Sequence, residues 1–160
     1  MAKIIAICGK ICSGKTYYAQ SLKDKENAVI LSCDELTNDL FDNNLGDGHD
    51  EMSERIRAYF YKKSAELVRI GCNVILDWGF WKRADRDNLR NFCKRNGISC
   101  EWHYVKVNDK TWLRNIDERN NRIINGDGGS DYYLDDGLMI KLQSLWEEPD
   151  EKEIYILYTR

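Results

Sequence analysis

A chain of 160 residues holds one compact domain with a core of two or three layers, and a second independent domain does not fit. Its 42% hydrophobic and 32% charged residues are globular proportions and exclude a disordered chain. A net charge of −3 excludes a general electrostatic grip on nucleic acid, though not a local basic cleft.

In chain order, Ile4–Cys8 is a short apolar run closed by Gly9, the pattern of a buried parallel strand. Lys15–Lys23 carries Tyr18, Ala19 and Leu22 at helical spacing. Ala28–Leu31 reads as a second strand, and Asp34–Phe41 as a short helix with Asp34 in a capping position. Asn43–Asp50 is a polar, turn-rich loop containing Gly46 and Gly48. Glu51–Ile70 has a long helical pattern stopped by Gly71. Val74–Leu76 is a third strand ending at Asp77, Arg83–Arg95 a helix ended by Gly97, and Trp102–Val107 a fourth strand. The next helix starts at Asp109 or Thr111 and runs to about Ile124, followed by a glycine-rich break over Asn125–Ser130. Asp135–Trp146 is helical, Pro149 marks its stop, and Ile154–Leu157 is the final strand. Strands alternating with helices predict one three-layer α/β domain over residues 1–160 with a mostly parallel sheet.

The six cysteines, Cys8, Cys12, Cys33, Cys72, Cys93 and Cys100, contain no CxxC pair, which argues against a zinc knuckle. Met1-Ala2-Lys3 leads straight into the first strand without a signal peptide, and no apolar stretch reaches membrane-spanning length. These features predict a soluble cytoplasmic protein with reduced thiols and no membrane partner.

Gly9-Lys10-Ile11-Cys12-Ser13-Gly14-Lys15-Thr16 matches GxxxxGK[ST] at every fixed position, between a strand and a helix. Glycines let the backbone curl so that successive N–H groups face phosphate oxygens. The following helix aims its positive end at the same anion. The segment therefore predicts a site for ATP with Mg²⁺ formed by Gly9, Lys10, Cys12, Ser13, Gly14, Lys15 and Thr16, with Lys15 reaching the β- and γ-phosphates and Thr16 ligating the metal. Cys12 reads as a small side chain facing away from phosphate rather than as a redox-sensitive thiol, which would need an exposed thiolate. A regulatory GTPase is disfavoured. Asn108-Asp109-Lys110 has the wrong order for NKxD, and Phe80 stands where DxxG needs a glycine after Asp77.

Three further segments carry a family resemblance. They are Val74-Ile75-Leu76-Asp77-Trp78-Gly79-Phe80-Trp81 continuing to Arg83 and Arg86, Arg114 followed by Arg119-Asn120, and Trp146-Glu147-Glu148-Pro149-Asp150-Glu151. With the phosphate loop, they resemble small bacterial P-loop kinase-like ATP-binding proteins related to zeta toxins, chloramphenicol phosphotransferase and the kinase domain of polynucleotide kinase. The resemblance touches nearly the whole chain. It implies a P-loop NTPase fold with five strands in the order 2-3-1-4-5.

In the resembled kinases an aspartate placed like Asp34 accepts the proton of the substrate hydroxyl, a chemistry that needs a carboxylate facing the γ-phosphate. The alternative for Asp34 is a helix cap, and Ser32 or Glu35 would orient substrate more weakly. Asp77, delivered by a strand end to the ligand crevice, supports Mg²⁺ directly or through water, or contacts substrate. Arg119 is the lid arginine for developing phosphoryl charge, in a lid-like segment at about residues 119–135. Arg122 is assigned to nucleotide binding. It and Arg114 read equally well as a solvated helix face pairing with Asp117 and Glu118. Trp78, Phe80 and Trp81 form either an aromatic wall for the acceptor or part of the core. Arg83 and Arg86 either face the same cleft or, as the preferred reading, belong to a solvated helix face, and His49 and His103 read as structural.

The reading is a kinase that moves the ATP γ-phosphate to a hydroxyl of a small molecule. The alternatives are a polynucleotide 5′-hydroxyl kinase, disfavoured by the acidic balance, a non-catalytic nucleotide-binding protein, and a zeta-like toxin. No motif names the acceptor or the oligomeric state.

Overall fold

The computed structural model describes residues 1–42, 46–129 and 131–160. The strands are β1 (Lys3–Cys8), β2 (Ala28–Ser32), β3 (Asn73–Gly79), β4 (Ser99–Lys106) and β5 (Ile156–Thr159). The helices are α1 (Lys15–Lys23), α2 (Cys33–Phe41), α3 (His49–Arg69), α4 (Arg83–Asn96), α5 (Asp109–Ile124) and α6 (Asp136–Ser144). The strand order is β2-β3-β1-β4-β5, and every neighbouring pair is parallel.

β1 is the centre of the sheet, and its side chains alternate between two helical layers. Ile4, Ala6 and Cys8 pack with Val74, Leu76, Trp102 and Tyr104 under Leu89 and Cys93 of α4. Ile5 and Ile7 pack with Ile75 and Val105 under Tyr18, Ala19 and Leu22 of α1. A third cluster, Val107, Trp112, Ile116 and Leu134, joins α5 to α6 and lies against Ile11 and Cys12. This last cluster fixes the phosphate loop to the lid side of the domain.

Where element boundaries depart from the sequence pattern, long-range partners decide. β3 runs beyond Asp77 to Gly79, because the ladder with β1 shifts by one residue: Ile7 faces Asp77 and Cys8 faces Gly79. Such a bulge re-aims side chains beside a site. Helix α2 is capped by Ser32, whose hydroxyl accepts from Glu35 N–H, so Asp34 is not the cap. β5 starts two residues late: Tyr155 N–H donates to Trp102 C=O, and pairing with β4 begins at Ile156 opposite His103. Of the loop expected over Asn43–Asp50, Asn43 to Leu45 lie outside the described residues. Gly46–Gly48 form a 3-10 turn, and α3 already begins at His49. Ser130 of the expected glycine-rich break also lies outside them.

Arg86 overturns the solvated-face reading. It is 1% exposed and donates to the carbonyls of Phe80 and Glu147, each at 3.0 Å, and to Glu153 Oε1 at 3.2 Å. Arg86, Leu89 and Cys93 share the buried stripe of α4, a spacing present in the sequence. Arg83, by contrast, is exposed and pairs with Asp150 at 3.0 Å. His103 is buried and shares a 3.0 Å hydrogen bond with the Tyr18 hydroxyl, a structural role. His49 is exposed on α3.

All six cysteines are free thiols. Among the described residues no cluster of three or more His, Cys, Asp or Glu could hold a metal by itself, and no helix is long and apolar enough to cross a membrane.

Candidate active site

The carboxyl ends of β1, β2 and β3 open into one cleft of about 1700 Å³. That exceeds an ordinary single-ligand pocket of roughly 300–1,000 Å³ and has room for a donor and an acceptor together. Gly14, Lys15, Thr16, Asp34, Asp77, Arg119 and Arg122 all line it, so the sequence-predicted groups converge.

The phosphate loop is held by its neighbours before any anion arrives. Gly9 N–H donates to Gly79 C=O at 3.2 Å, and a Cβ at Gly9 would meet Ser13 Oγ at 2.7 Å and Val105 C=O at 2.8 Å. Gly14 sits at φ 93°, a left-handed conformation that glycine adopts without strain, and α1 starts at the next residue. Trp112 Nε1 donates to Ile11 C=O at 2.7 Å, and Asn115 Nδ2 donates to Cys12 C=O at 2.9 Å. Both α5 residues escaped the sequence reading, because nothing in a helix pattern says which loop it will grip.

The loop fits a phosphate-bearing ligand. Ser13 is fully buried, and its Oγ has no hydrogen-bond partner among the described residues. Lys15 Nζ donates to Lys10 C=O at 2.5 Å, folded back over its own loop. Burial pushes the Lys15 ammonium below its ordinary value, against the pull of the Asp77 and Asp34 carboxylates. The Lys10 ammonium lies over the Trp112 ring at 4.7 Å.

Asp77 is 5% exposed. Burial pushes its carboxyl above the ordinary value, opposed by the Lys15 ammonium and the Thr16 hydroxyl. A buried carboxylate beside a hydroxyl offers oxygen ligands suited to a hard divalent cation, and the neighbouring ammonium suits the phosphate oxygens that would accompany it. Asp34 stands exposed at the first turn of α2 and faces the same cleft.

Arg119 reaches the cleft from α5. Its Nη1 lies 3.9 Å from Cys12 Sγ, its Nη2 lies 3.5 Å from Asp131 Oδ1, and its guanidinium covers the Tyr132 ring at 4.9 Å. The next residue, Asn120, points the other way and clamps Leu134 through two backbone hydrogen bonds of 2.9 and 2.8 Å. This pair fixes the described part of the lid-like segment to α5. Arg122 lines the cleft but is exposed, whereas Arg114 is solvated and pairs with Glu118 at 3.7 Å. Burial pushes the Cys12 thiol up, although Arg119 opposes this, so its surroundings do not favour the reactive thiolate.

All three aromatic residues line the cleft. Phe80 is 1% exposed and meets Trp102 edge-on, and half-buried Trp78 stacks on Phe60 at the edge of the core. Trp81 stays half-buried at the cleft wall, packed on Gly79. Three cleft cations were not singled out from sequence: Arg57 of α3, Lys82 just before α4, and Arg160, whose guanidinium touches Gly14 and lies over Tyr17 at 5.3 Å.

A family model described as an AAA domain matches residues 4–127. No curated protein matches the chain. Among solved structures, a candidate kinase from Chloroflexus aurantiacus superposes with a TM-score of 0.75 at 17% identity, covering 99% of this chain and 86% of its own. Chaetomium thermophilum Kti12, solved with ADP-AlF3, gives 0.71 at 17% identity over 98% and 88% of the two chains. The APS kinase of Mycobacterium tuberculosis, solved with AMPPNP and APS, gives 0.63 at 16% identity over 99% and 88%. At these identities the likeness is one of fold, that of the P-loop kinases.

Proposed function

The chain belongs to the AAA domain family, and on that premise we propose that it transfers the γ-phosphoryl group of ATP to a hydroxyl of a small molecule. The observation that carries the reading is convergence: Asp34, Asp77 and Arg119 come from three different elements to one cleft around Lys15. Binding alone would need the loop and its lysine. A carboxylate at the first turn of α2 and an arginine crossing from α5 have a use when a group is moved.

In this mechanism the loop N–H groups and Lys15 bind the triphosphate and turn its γ-phosphorus toward Asp34. The acceptor oxygen forms a bond to that phosphorus while the bond to the β,γ-bridging oxygen breaks, and ADP leaves with the electron pair. Asp34 takes the hydroxyl proton. Arg119 holds the charge that develops on the equatorial oxygens, in a cleft with Tyr132 over its plane. Thr16 and Asp77 would hold Mg²⁺, which when bound neutralises charge on the phosphate oxygens. Arg122, one turn beyond Arg119, would meet the nucleotide from the lid side.

The test is transfer from labelled ATP to a panel of hydroxylated metabolites and a 5′-hydroxyl oligonucleotide. Asp34→Asn is expected to slow transfer by roughly 10²–10⁴-fold and to leave ATP affinity within about twofold of wild type, since the acid does not touch the triphosphate. Wild-type rates in Asp34→Asn would remove the base assignment. ATP binding without transfer to any acceptor would point instead to a nucleotide-binding protein.

A further inference from the structure

Beyond the phosphate loop, the cleft continues along α3, which presents His49, Ser53 and Arg57. These recur every four residues and so share one helix face. Asp34 and Asn38 of α2 line the same region. Asp34 from α2 and Arg57 from α3 therefore line one and the same cleft.

Arg57 differs from every other cation of similar or lower exposure. Lys3, Lys63, Arg86, Arg90 and Arg119 each face a carboxylate, Lys15 has a backbone carbonyl, and Lys10 lies over an indole. Among the described residues, the half-buried Arg57 is in no ion pair or hydrogen bond. A guanidinium carries five N–H donors in a fixed fork that matches an oxyanion, and desolvating it without a partner is unfavourable. Asp85 also lines the cleft but stands beyond ion-pair distance from it.

We propose that the acceptor carries an anionic group (phosphate, sulfate or carboxylate) gripped by Arg57, with its reacting hydroxyl turned to Asp34. The proposal rests on the phosphotransferase reading of this cleft and deepens it by naming the acceptor class. A backbone phosphate of a polynucleotide offers the same chemistry. Asp34, Glu35 and Asp85 on the cleft walls, with the net charge of −3, favour a small molecule carrying one anionic group over a polyanion.

The experiment reads binding, so it does not depend on turnover. Wild type, Arg57→Ala and Arg57→Lys, each saturated with Mg²⁺ and AMPPNP, are titrated calorimetrically with matched pairs. The pairs are glycerol 3-phosphate and glycerol, glucose 6-phosphate and glucose, and gluconate and sorbitol. A 5′-hydroxyl oligonucleotide forms a separate arm. The expected result is that at least one anionic member binds about tenfold or more tightly than its neutral partner, as one charge-assisted pair supplies. That preference disappears in Arg57→Ala, recovers in part in Arg57→Lys, and leaves AMPPNP affinity unchanged. Among the described residues Arg57 has no charged or hydrogen-bonded partner to orphan, so the Arg57→Ala melting temperature should not fall below that of wild type. No anion preference in any pair, or a preference that survives Arg57→Ala, overturns the proposal. Tighter binding of the oligonucleotide than of every small anion overturns the small-molecule assignment. If anions bind through Arg57 but no phosphate is transferred to them, the kinase reading fails while the anion site stands.

Discussion

Replacing Arg86 by leucine tests the reasoning about what shapes the cleft wall. Arg86 is 1% exposed and Glu153 has 8% of its side chain exposed, and their ion pair at 3.2 Å is joined by donations to Phe80 and Glu147 carbonyls. Leucine fills much of the volume but leaves the Phe80 and Glu147 carbonyls without this donor and reduces the partners of buried Glu153 to Arg90 at 2.8 Å and the Asp150 N–H. Breaking a buried pair from one side costs about 3–5 kcal/mol. At about 2–4 °C per kcal/mol for a domain of this size, the melting temperature should drop by about 6–20 °C. Burial pushes the Glu153 carboxyl up, yet the Arg86 hydrogen bond, the Asp150 N–H and the charges of Arg86 and Arg90 hold it below its ordinary value. A lowered folded-state value contributes stability above the ordinary carboxylate range, which is lost as pH falls through the folded value. Arg86→Leu should therefore flatten the acid side of the stability profile. Calorimetric melts of Arg86→Leu, Glu153→Leu and the double variant provide the cycle, and the double should be less destabilised than the sum of the singles by about 1–3 kcal/mol. A loss under about 2 °C, or strict additivity in the cycle, would refute the claim that this pair ties Phe80–Trp81 to the Glu147–Glu153 segment.

Asp77→Asn should stabilise the protein without ligand and weaken its Mg²⁺-dependent nucleotide binding. The folded-state value of this acid is raised, so the unfolded chain gives up its proton first and stability falls as pH rises through that interval. The melting advantage of the variant should thus be full at pH 7 and shrink as pH drops toward 4. An Asp77→Asn protein that melts below wild type at pH 7 would show the carboxylate to be structural. Gly14→Ala should cost about 1–2 kcal/mol for its left-handed backbone and also displace the Arg160 guanidinium, lowering ATP affinity. Gly97→Ala, at φ 64° with open space around it, is the control: it should carry the strain alone and bind nucleotide as wild type does. Equal nucleotide affinities in the two glycine variants would detach Arg160 from the site.

Much of the architecture was written locally. The phosphate loop is a contiguous segment whose glycines and flanking elements are all within its own residues, and the strand–helix alternation follows from periods of 2 and 3.6. The strand order came from family resemblance and matches the sheet. Convergence was less legible. Asp34 and Arg119 were named, yet their opening into one cleft with Lys15 depends on how β2 and α5 pack around β1. Arg86 was misread although its spacing from Leu89 and Cys93 marked the buried stripe, because a charge in that stripe is tolerated only if a distant partner exists.

The sequence by itself determined the phosphate loop of this protein, since such a cradle is built from neighbouring backbone groups and needs only short-range geometry. Tertiary structure alone decided the rest. Arg86 lies 67 residues from Glu153, Trp112 grips a loop 101 residues away, and Arg57, unpaired among the described residues, shares a cleft with Asp34. Whether a charge is solvated, paired or waiting for a ligand depends on what the folded chain brings within a few ångströms of it, and that information lies in the packing.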